Sequence, residues 1–397
     1  MRILQVCLKP PYPKVDGGCI AMAAITEGFL LEGHSVRVLC MSTQKHPFSV
    51  SKVPSDILAK TEMEAVEIDT RIKPLDALLN LFSSSSYNIE RFYSQEFENR
   101  LIEILKASEF DIIHLESVFC TPYLNAIRLH SKAKVVVRAH NIEFKIWEQL
   151  AIQEHNPIKK WYLNLLASRL KKYELGILKK VDGIVAITKE DAADMKHFGI
   201  TVPFEIIPIG IDVHSIPLTP LQTDNLHLYH LGAMDWMPNV EAIRWFVLEV
   251  WWLIHQELPN VKCHLAGRKM PDFLKVLSSE NLTISGEVDS VEQFLSKQNV
   301  AIVPLLSGSG MRVKIVEALA YGKVVITTPL GVTGIPYENG KNVLIACFPY
   351  EFLEHLEMLA QNPNRIAEIG SEARKLAEVE FDLKNLSSKL TYFYANL

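Results

Sequence analysis

The chain of 397 residues has no uninterrupted apolar run close to the roughly 18 residues that cross a bilayer. It has no cysteine pair at CxxC spacing and no Cys/His set at zinc-ligand spacing. Its six cysteines, Cys7, Cys19, Cys40, Cys120, Cys263 and Cys347, are scattered, several of them in apolar strand-like runs. That excludes a disulfide framework and predicts buried free thiols in a reducing compartment. Strong charge of one sign is missing too: the formal net charge is -5, which argues against a general nucleic-acid binder. The first strand-like stretch, residues 1–8, contains Gln5 and gives way to Lys9 and prolines, so it lacks the apolar core of a signal peptide. These absences predict a cytoplasmic protein with no metal site and no cofactor. Peripheral contact with the inner membrane surface stays open.

What is present is an α/β rhythm that runs twice, and the length favours two domains. In the first half, residues 2–8 read as a strand. Pro10, Pro11 and Pro13 then lead to Asp16-Gly17-Gly18, predicted as a loop outside regular structure. A helix is predicted over 20–32, ending at Gly33, and a strand over 35–41. Gly17 and Gly18 would let backbone approach a ligand closely; a plain flexible turn is the alternative. After a less legible stretch over 44–100, strands are predicted at 111–115 and 134–138. The second of these ends in Ala139-His140-Asn141-Ile142-Glu143. Ligands of open α/β sheets bind at the carboxyl ends of strands, so His140, Asn141 and Glu143 are site candidates.

Residues 145–180 read as one long helix, made basic by Lys159-Lys160 and Lys171-Lys172. That is a solvated face or, alternatively, a contact for an anionic membrane surface. Further strands are predicted at 183–188 and 205–209. Pro217 and Pro220, in polar sequence, mark a domain linker. The rhythm restarts with a strand at 226–231 and a long helix through Ile254, whose Trp245, Phe246, Trp251 and Trp252 read as core. Strands follow at 261–266, 282–284, 300–305, 324–328 and 342–346, and residues 350–397 are mostly helical.

The segment from Ser307 to Leu319 organises the second half. A Gly/Ser loop, Ser307-Gly308-Ser309-Gly310-Met311, lies between an apolar strand and a helix carrying Val313, Val316, Leu319 and Ala320 at helical spacing. Free N–H groups at a helix start favour an anion. Arg312 and Lys314 put two cations there, against the helix dipole, a conflict that a bound anion would resolve. Glu317, a turn further on, can accept hydrogen bonds from hydroxyls. The loop thus offers donors for phosphate and an acceptor for sugar, although a Gly/Ser turn before a helix is often no more than a turn.

Taken together, Gly232-Ala-Met-Asp-Trp-Met-Pro-Asn239, the run from Pro304 to Ala320, Gly331-Val-Thr-Gly-Ile335 and Arg138-Ala-His-Asn-Ile-Glu143 resemble the retaining family-4 glycosyltransferases. The resemblance covers nearly the whole chain. It implies two Rossmann-like doubly wound domains facing a cleft, the GT-B fold. Residues 1–208 would be the acceptor-side domain and 209–375 the nucleotide-sugar donor domain. Residues 376–397 would pack back on the first domain. It also implies that Glu317 is the second Glu of the family's E-x7-E motif and binds ribose, and that Gly308, Ser309, Gly310 and Met311 meet the donor sugar and diphosphate. Gly17 and Gly18 would lie over the diphosphate, and His140 beside the transferred sugar.

Two departures stand out. The first Glu of E-x7-E is replaced by Ser309. The usual Arg and Lys of the second domain's first strand–loop unit give way to Met234-Asp235-Trp236, which would shift diphosphate binding onto Arg312 and Lys314. His140, Arg312 and Lys314 are therefore the expected catalytic groups. Asn141, Glu143, Asp235 and Asn239 are candidate acceptor or donor contacts. The chain contains no Asp-x-Asp, a metal–diphosphate motif of other glycosyltransferases, so transfer is expected to need no metal.

The expected substrates are a nucleoside-diphosphate sugar and a glycan or lipid-linked acceptor, in cell-surface polysaccharide or lipopolysaccharide synthesis. A nucleotide-sugar epimerase on the same architecture and a non-catalytic nucleotide-sugar-binding subunit are the alternatives. A nicotinamide oxidoreductase is disfavoured, because Val313 stands where the third glycine of G-x-G-x-x-G belongs.

Overall fold

The computed structural model describes residues 1–73, 80–217 and 225–397. It divides into two compact units: Met1–Pro208 with Lys384–Leu397, and Ile209–Leu383. Pro220 of the predicted linker lies outside the described residues.

The first unit is a seven-stranded parallel sheet in the order β3-β2-β1-β4-β5-β6-β7. Its strands are β1 (Arg2–Cys7), β2 (Ser35–Ser42), β3 (Glu64–Glu67), β4 (Ile112–Glu116), β5 (Lys134–Ala139), β6 (Gly183–Ala186) and β7 (Phe204–Ile206). Alternate side chains feed two cores. Leu4, Val6, Ile113, Leu115, Val135 and Val137 line one face; Ile3, Cys7, Ile112 and Val136 line the other. A sheet buried on both faces needs apolar residues at nearly every position, which is why these strands read as continuous apolar runs.

Several boundaries differ from the sequence reading. Helix α1 begins at Gly17 and runs to Leu31, so Gly17 and Gly18 form its first turn rather than a loop. The cause is Asp16, whose carboxylate caps the Cys19 N–H at 2.9 Å while its carbonyl accepts from Ile20. The stretch 44–100 holds helices at Ser55–Thr61 and Gln95–Ala107 and the edge strand β3. The single helix expected over 145–180 is two, α2 (Glu143–Gln153) and α3 (Pro157–Leu178). Pro157 has no N–H to continue the ladder, and Asn156 caps Ile158 and Lys159 at 3.0 and 3.1 Å.

The second unit is a six-stranded parallel sheet, β10-β9-β8-β11-β12-β13. Its strands are β8 (His227–Leu231), β9 (Lys262–Ala266), β10 (Leu282–Ile284), β11 (Val300–Val303), β12 (Val324–Thr327) and β13 (Leu344–Ile345). Helix α4 (Met237–Trp245) continues through a wider π-type turn, Phe246–Trp251, into Trp252–Glu257. Phe246 and Trp251 are core, with Trp245 packed against it, whereas Trp252 is 53% exposed and departs from the core expectation. Helix α5 (Val313–Ala320) follows β11.

The predicted end of the second domain at residue 375 is too early. Helix α6 (Asn364–Glu380) stays in this unit because its Arg374 donates to the Ala320 and Val213 carbonyls at 2.6 and 2.7 Å. The last helix, α7 (Leu383–Ala395), returns to the first unit. There Leu386, Leu390, Phe393 and Tyr394 join the core beside β1 and β4.

Candidate functional site

In each sheet the strand order reverses once, between β1 and β4 and between β8 and β11. A crevice opens outside the carboxyl ends of the strands at such a reversal, and this is where doubly wound sheets hold ligands. The predicted site residues of each half follow the carboxyl ends of its strands.

In the second unit, β8 ends at His230 and Leu231 and runs into Gly232, Asp235, Trp236 and Asn239. β11 runs into the Gly/Ser loop, where Gly308 and Gly310 take φ values of 105° and 79° that side chains avoid. At Gly308 there is a second reason: a Cβ would lie 2.9 Å from the Trp236 ring. Arg312 occupies the N-cap position of α5 and Lys314 its first turn.

Arg312 is buried, and its Nη1 donates to the Ser309 carbonyl. Its Nε and Nη2 have no hydrogen-bond partner among the described residues. The Trp236 ring centroid is 5.2 Å from its Cζ. Burial pushes the guanidinium down to about 10.

Lys314 donates to Asn239 Oδ1 at 2.8 Å and meets His230 Nε2 at 3.1 Å. Burial, then Arg312, lowers its ammonium to about 7, with Glu317 acting the other way. Glu317 lines a small cavity of about 10 Å³ with Tyr229, His230, Lys314 and Val303, room for one water. Met311 is buried behind the loop. Asp235, expected as an acceptor or donor contact, pairs with Arg268 at 3.0 Å.

In the first unit the register sets Gln5 of β1 beside His114 of β4, and Glu116 of β4 beside Arg138 of β5. All four side chains are fully buried. Glu116 accepts from Gln5 at 2.9 Å and from His140 Nε2 at 2.7 Å, and faces Arg138 Nη1 at 3.4 Å. Burial alone would raise the Glu116 carboxyl, but Arg138 and the two histidines overcome it and hold it well below its ordinary range. An ionised carboxylate only accepts, so His140 carries its proton on Nε2. Burial lowers the His140 pKa, which leaves Nδ1 as a lone pair. On the far side, His114 Nδ1 bonds the hydroxyl of Tyr394 from α7.

Beside the half-buried Gly17-Gly18 turn, Lys9 Nζ lies 2.8 Å from where a Cβ on Gly18 would be, and it pairs with Asp16 at 2.7 Å. Asp16 also meets His46 at 2.9 Å. Burial works against its charge, yet His46 and Lys9 keep the carboxyl far below its usual range. Asn141 reaches Glu143 at 3.5 Å. Glu174 caps the first N–H groups of α2, those of Glu143 and Phe144, at 3.1 and 3.0 Å. Burial raises Glu143 to about 7 and, with repulsion from Glu143, Glu174 to about 8.

Glu116, His230, Lys9, Asp16 and Arg268 escaped the sequence reading. Glu116 and His230 carry a faint signal, a polar side chain near the carboxyl end of an apolar strand.

Among known proteins, the signature of glycosyltransferase family 4 matches residues 17–215, and that of the group 1 glycosyl transferases matches residues 225–362. An uncharacterised 44.6 kDa protein from the cps region of Klebsiella pneumoniae is 22% identical over 402 residues, covering 98% of both chains. HepE of Anabaena, solved with UDP, shares the fold at a TM-score of 0.68 and 13% identity, over 100% of both chains. Sucrose-phosphate synthase of Thermosynechococcus elongatus does so at a TM-score of 0.70 and 14% identity, covering 100% of this chain and 99% of that one.

Proposed function

The chain belongs to glycosyltransferase family 4, a GT-B glycosyltransferase, and from that premise we propose that it moves a sugar from a nucleoside-diphosphate donor to a glycan or lipid-linked acceptor, with retention and without a metal. The observation that carries this reading is the pair at the strand-order reversal, Arg312 buried and Lys314 half-buried, with two guanidinium nitrogens unpartnered. An unsatisfied buried guanidinium is costly, and a diphosphate would satisfy it.

In the proposed reaction the C1–O bond to the diphosphate breaks and the nucleoside diphosphate leaves with its electron pair. Arg312, Lys314 and the loop N–H groups, already aimed at the leaving group, offset the growing charge. The acceptor oxygen bonds to C1 on the same face, and its proton passes to a departing phosphate oxygen. His140 orients the donor: Glu116 fixes the ring, and the Nδ1 lone pair accepts from a sugar hydroxyl. Glu317 holds the ribose. Ser309, in place of the first motif Glu, supports a second reading, a subunit that binds donor without turning it over.

The relative in a cps region makes cell-surface polysaccharide the proposed setting. A lipid-linked acceptor fits peripheral membrane contact, and exposed Ile158 and Trp161 beside Lys159 and Lys160 at the start of α3 are the surface to test with anionic vesicles. The deciding experiment is a metal-free thermal-shift screen of UDP-, GDP-, ADP-, TDP- and CMP-sugars on the wild type and Glu317→Ala. Saturating donor at a hundred times its Kd adds about 2.7 kcal/mol of stability. One donor should stabilise the wild type and lose that effect in the variant. Stabilisation by none would remove the donor reading. Product from the active donor is then assayed in EDTA, and its anomeric configuration read by NMR.

A further inference from the structure

Arg312 and Lys314 both sit at the positive end of α5, where the helix dipole and their mutual repulsion push them away. Something must hold them. We propose that the β8–α4 segment is a brace, in which Trp236 and Asn239, with His230 behind them, are positioning residues that fix the two cations of α5 for the diphosphate. The proposal rests on the donor reading above.

Trp236 is the N-cap residue of α4 and Asn239 lies three residues on, so both face the same direction. Each holds one cation. Asn239 Nδ2 donates to the Ala233 carbonyl at 2.7 Å, which orients the amide and leaves Oδ1 to accept from Lys314. The flipped amide would put NH2 against an ammonium. His230 Nδ1 lies 2.8 Å from the Ile302 carbonyl, so Nδ1 carries the proton and Nε2 is the acceptor. Burial and Lys314 keep that imidazole neutral.

Two of the three ammonium protons are thereby fixed, and one remains for a ligand. Gly232 makes the room: a Cβ there would lie 2.5 Å from Lys314 Nζ. Trp236 fills the space between Gly308 and the guanidinium, covering the face of Arg312 while the edge N–H groups Nε and Nη2 stay unpartnered. No residue of the segment is cationic between Gly232 and Asn239. Its contribution is geometry.

The groups that face Lys314 are Arg312 and Glu317 from α5 and His230 and Asn239 from the β8–α4 side. Its proton is held loosely in the free protein, so anion binding should fall away as pH rises, with a midpoint set by how well the brace accepts from the ammonium. The test is calorimetric titration of UDP and of inorganic pyrophosphate from pH 6 to 9, on the wild type, Asn239→Leu, Asn239→Asp, Trp236→Leu and Lys314→Met. Asn239→Leu should weaken binding about ten-fold at pH 7.5 and move the midpoint down, the loss of one hydrogen bond to a charged donor. Asn239→Asp, which keeps an acceptor and adds charge, should restore binding at high pH by moving the midpoint up. Trp236→Leu should weaken binding roughly five-fold with the midpoint in place, since the ring touches Arg312 and not Lys314.

An unmoved midpoint in the Asp variant would mean that position 239 does not meet Lys314 in solution, and that result overturns the brace even if the Leu variant fails to fold. Undiminished binding in Trp236→Leu overturns its Arg312 half. Lys314→Met with wild-type affinity, or no saturable binding of either probe to the wild type, would instead overturn the donor reading beneath it.

Discussion

The two strand-order reversals use buried charge in opposite ways. At the first, the carboxylates Glu116 and Asp16 are met by the chain's own donors: Gln5, His140 and Arg138 around one, Lys9, His46 and a helix N–H around the other. At the second, Arg312 is met by a carbonyl and an aromatic ring, and Lys314 by a neutral amide and a neutral imidazole, with Glu317 favouring its charge. Arg138 and Arg312 each keep two guanidinium nitrogens unpartnered, but Arg138 faces the Glu116 carboxylate at 3.4 Å. A buried charge with its counter-ion belongs to folding. A buried charge lacking one stores unfavourable energy that a ligand can release.

That contrast can be broken most forcefully at Glu116. Glu116→Gln leaves Arg138 buried without its counter-charge and should cost about 3 kcal/mol of stability, read from urea unfolding. Equal stability would mean the network is not what holds β4 to β5. The mirror experiment is Arg312→Met. It should leave the urea midpoint unchanged or raise it, while affinity for the nucleoside diphosphate falls about a hundred-fold. A variant that loses stability instead would place Arg312 with the folding charges and erase the distinction.

A smaller effect sharpens the first-unit side. Glu143 and Glu174 titrate at about 7 and about 8, above their ordinary 4.5, so the folded protein holds protons that the unfolded chain has lost. Their contribution to stability is full below pH 4.5 and is lost as pH rises through 7 to 8. Across that window the wild type should lose about 2 kcal/mol more than Glu143→Gln, measured as the difference between their melting curves. Parallel curves would show that burial does not keep these carboxyls protonated.

The sequence made the strands legible because sheets buried on both faces demand apolar runs. It also pointed to the Gly308–Glu317 segment, since glycines at positive φ and cations against a helix dipole are local oddities. What it hid was partnership. Asp235 reads as a candidate contact, and nothing in the sequence says that Arg268, thirty-three residues away, pairs with it. Asn239 reads the same way until Lys314, seventy-five residues on, is found against its amide. Gly17-Gly18 reads as a loop because glycine usually breaks helices, and the Asp16 cap overrides that propensity. Side-chain alternation says which face Glu116 and His230 occupy. It does not say which residue from a distant strand meets them there.

The return of α7 to the first unit has a consequence for biosynthesis. The helix that covers β1 and β4, and whose Tyr394 closes the line from His140 through Glu116 and His114, is encoded after the whole second unit. The first unit therefore emerges from the ribosome unfinished, with an apolar sheet face that α1 covers only in part, while the second unit can complete itself from contiguous chain. The half made first is the half finished last, and a chain stopped within α7 should be a better substrate for chaperones than for any sugar nucleotide.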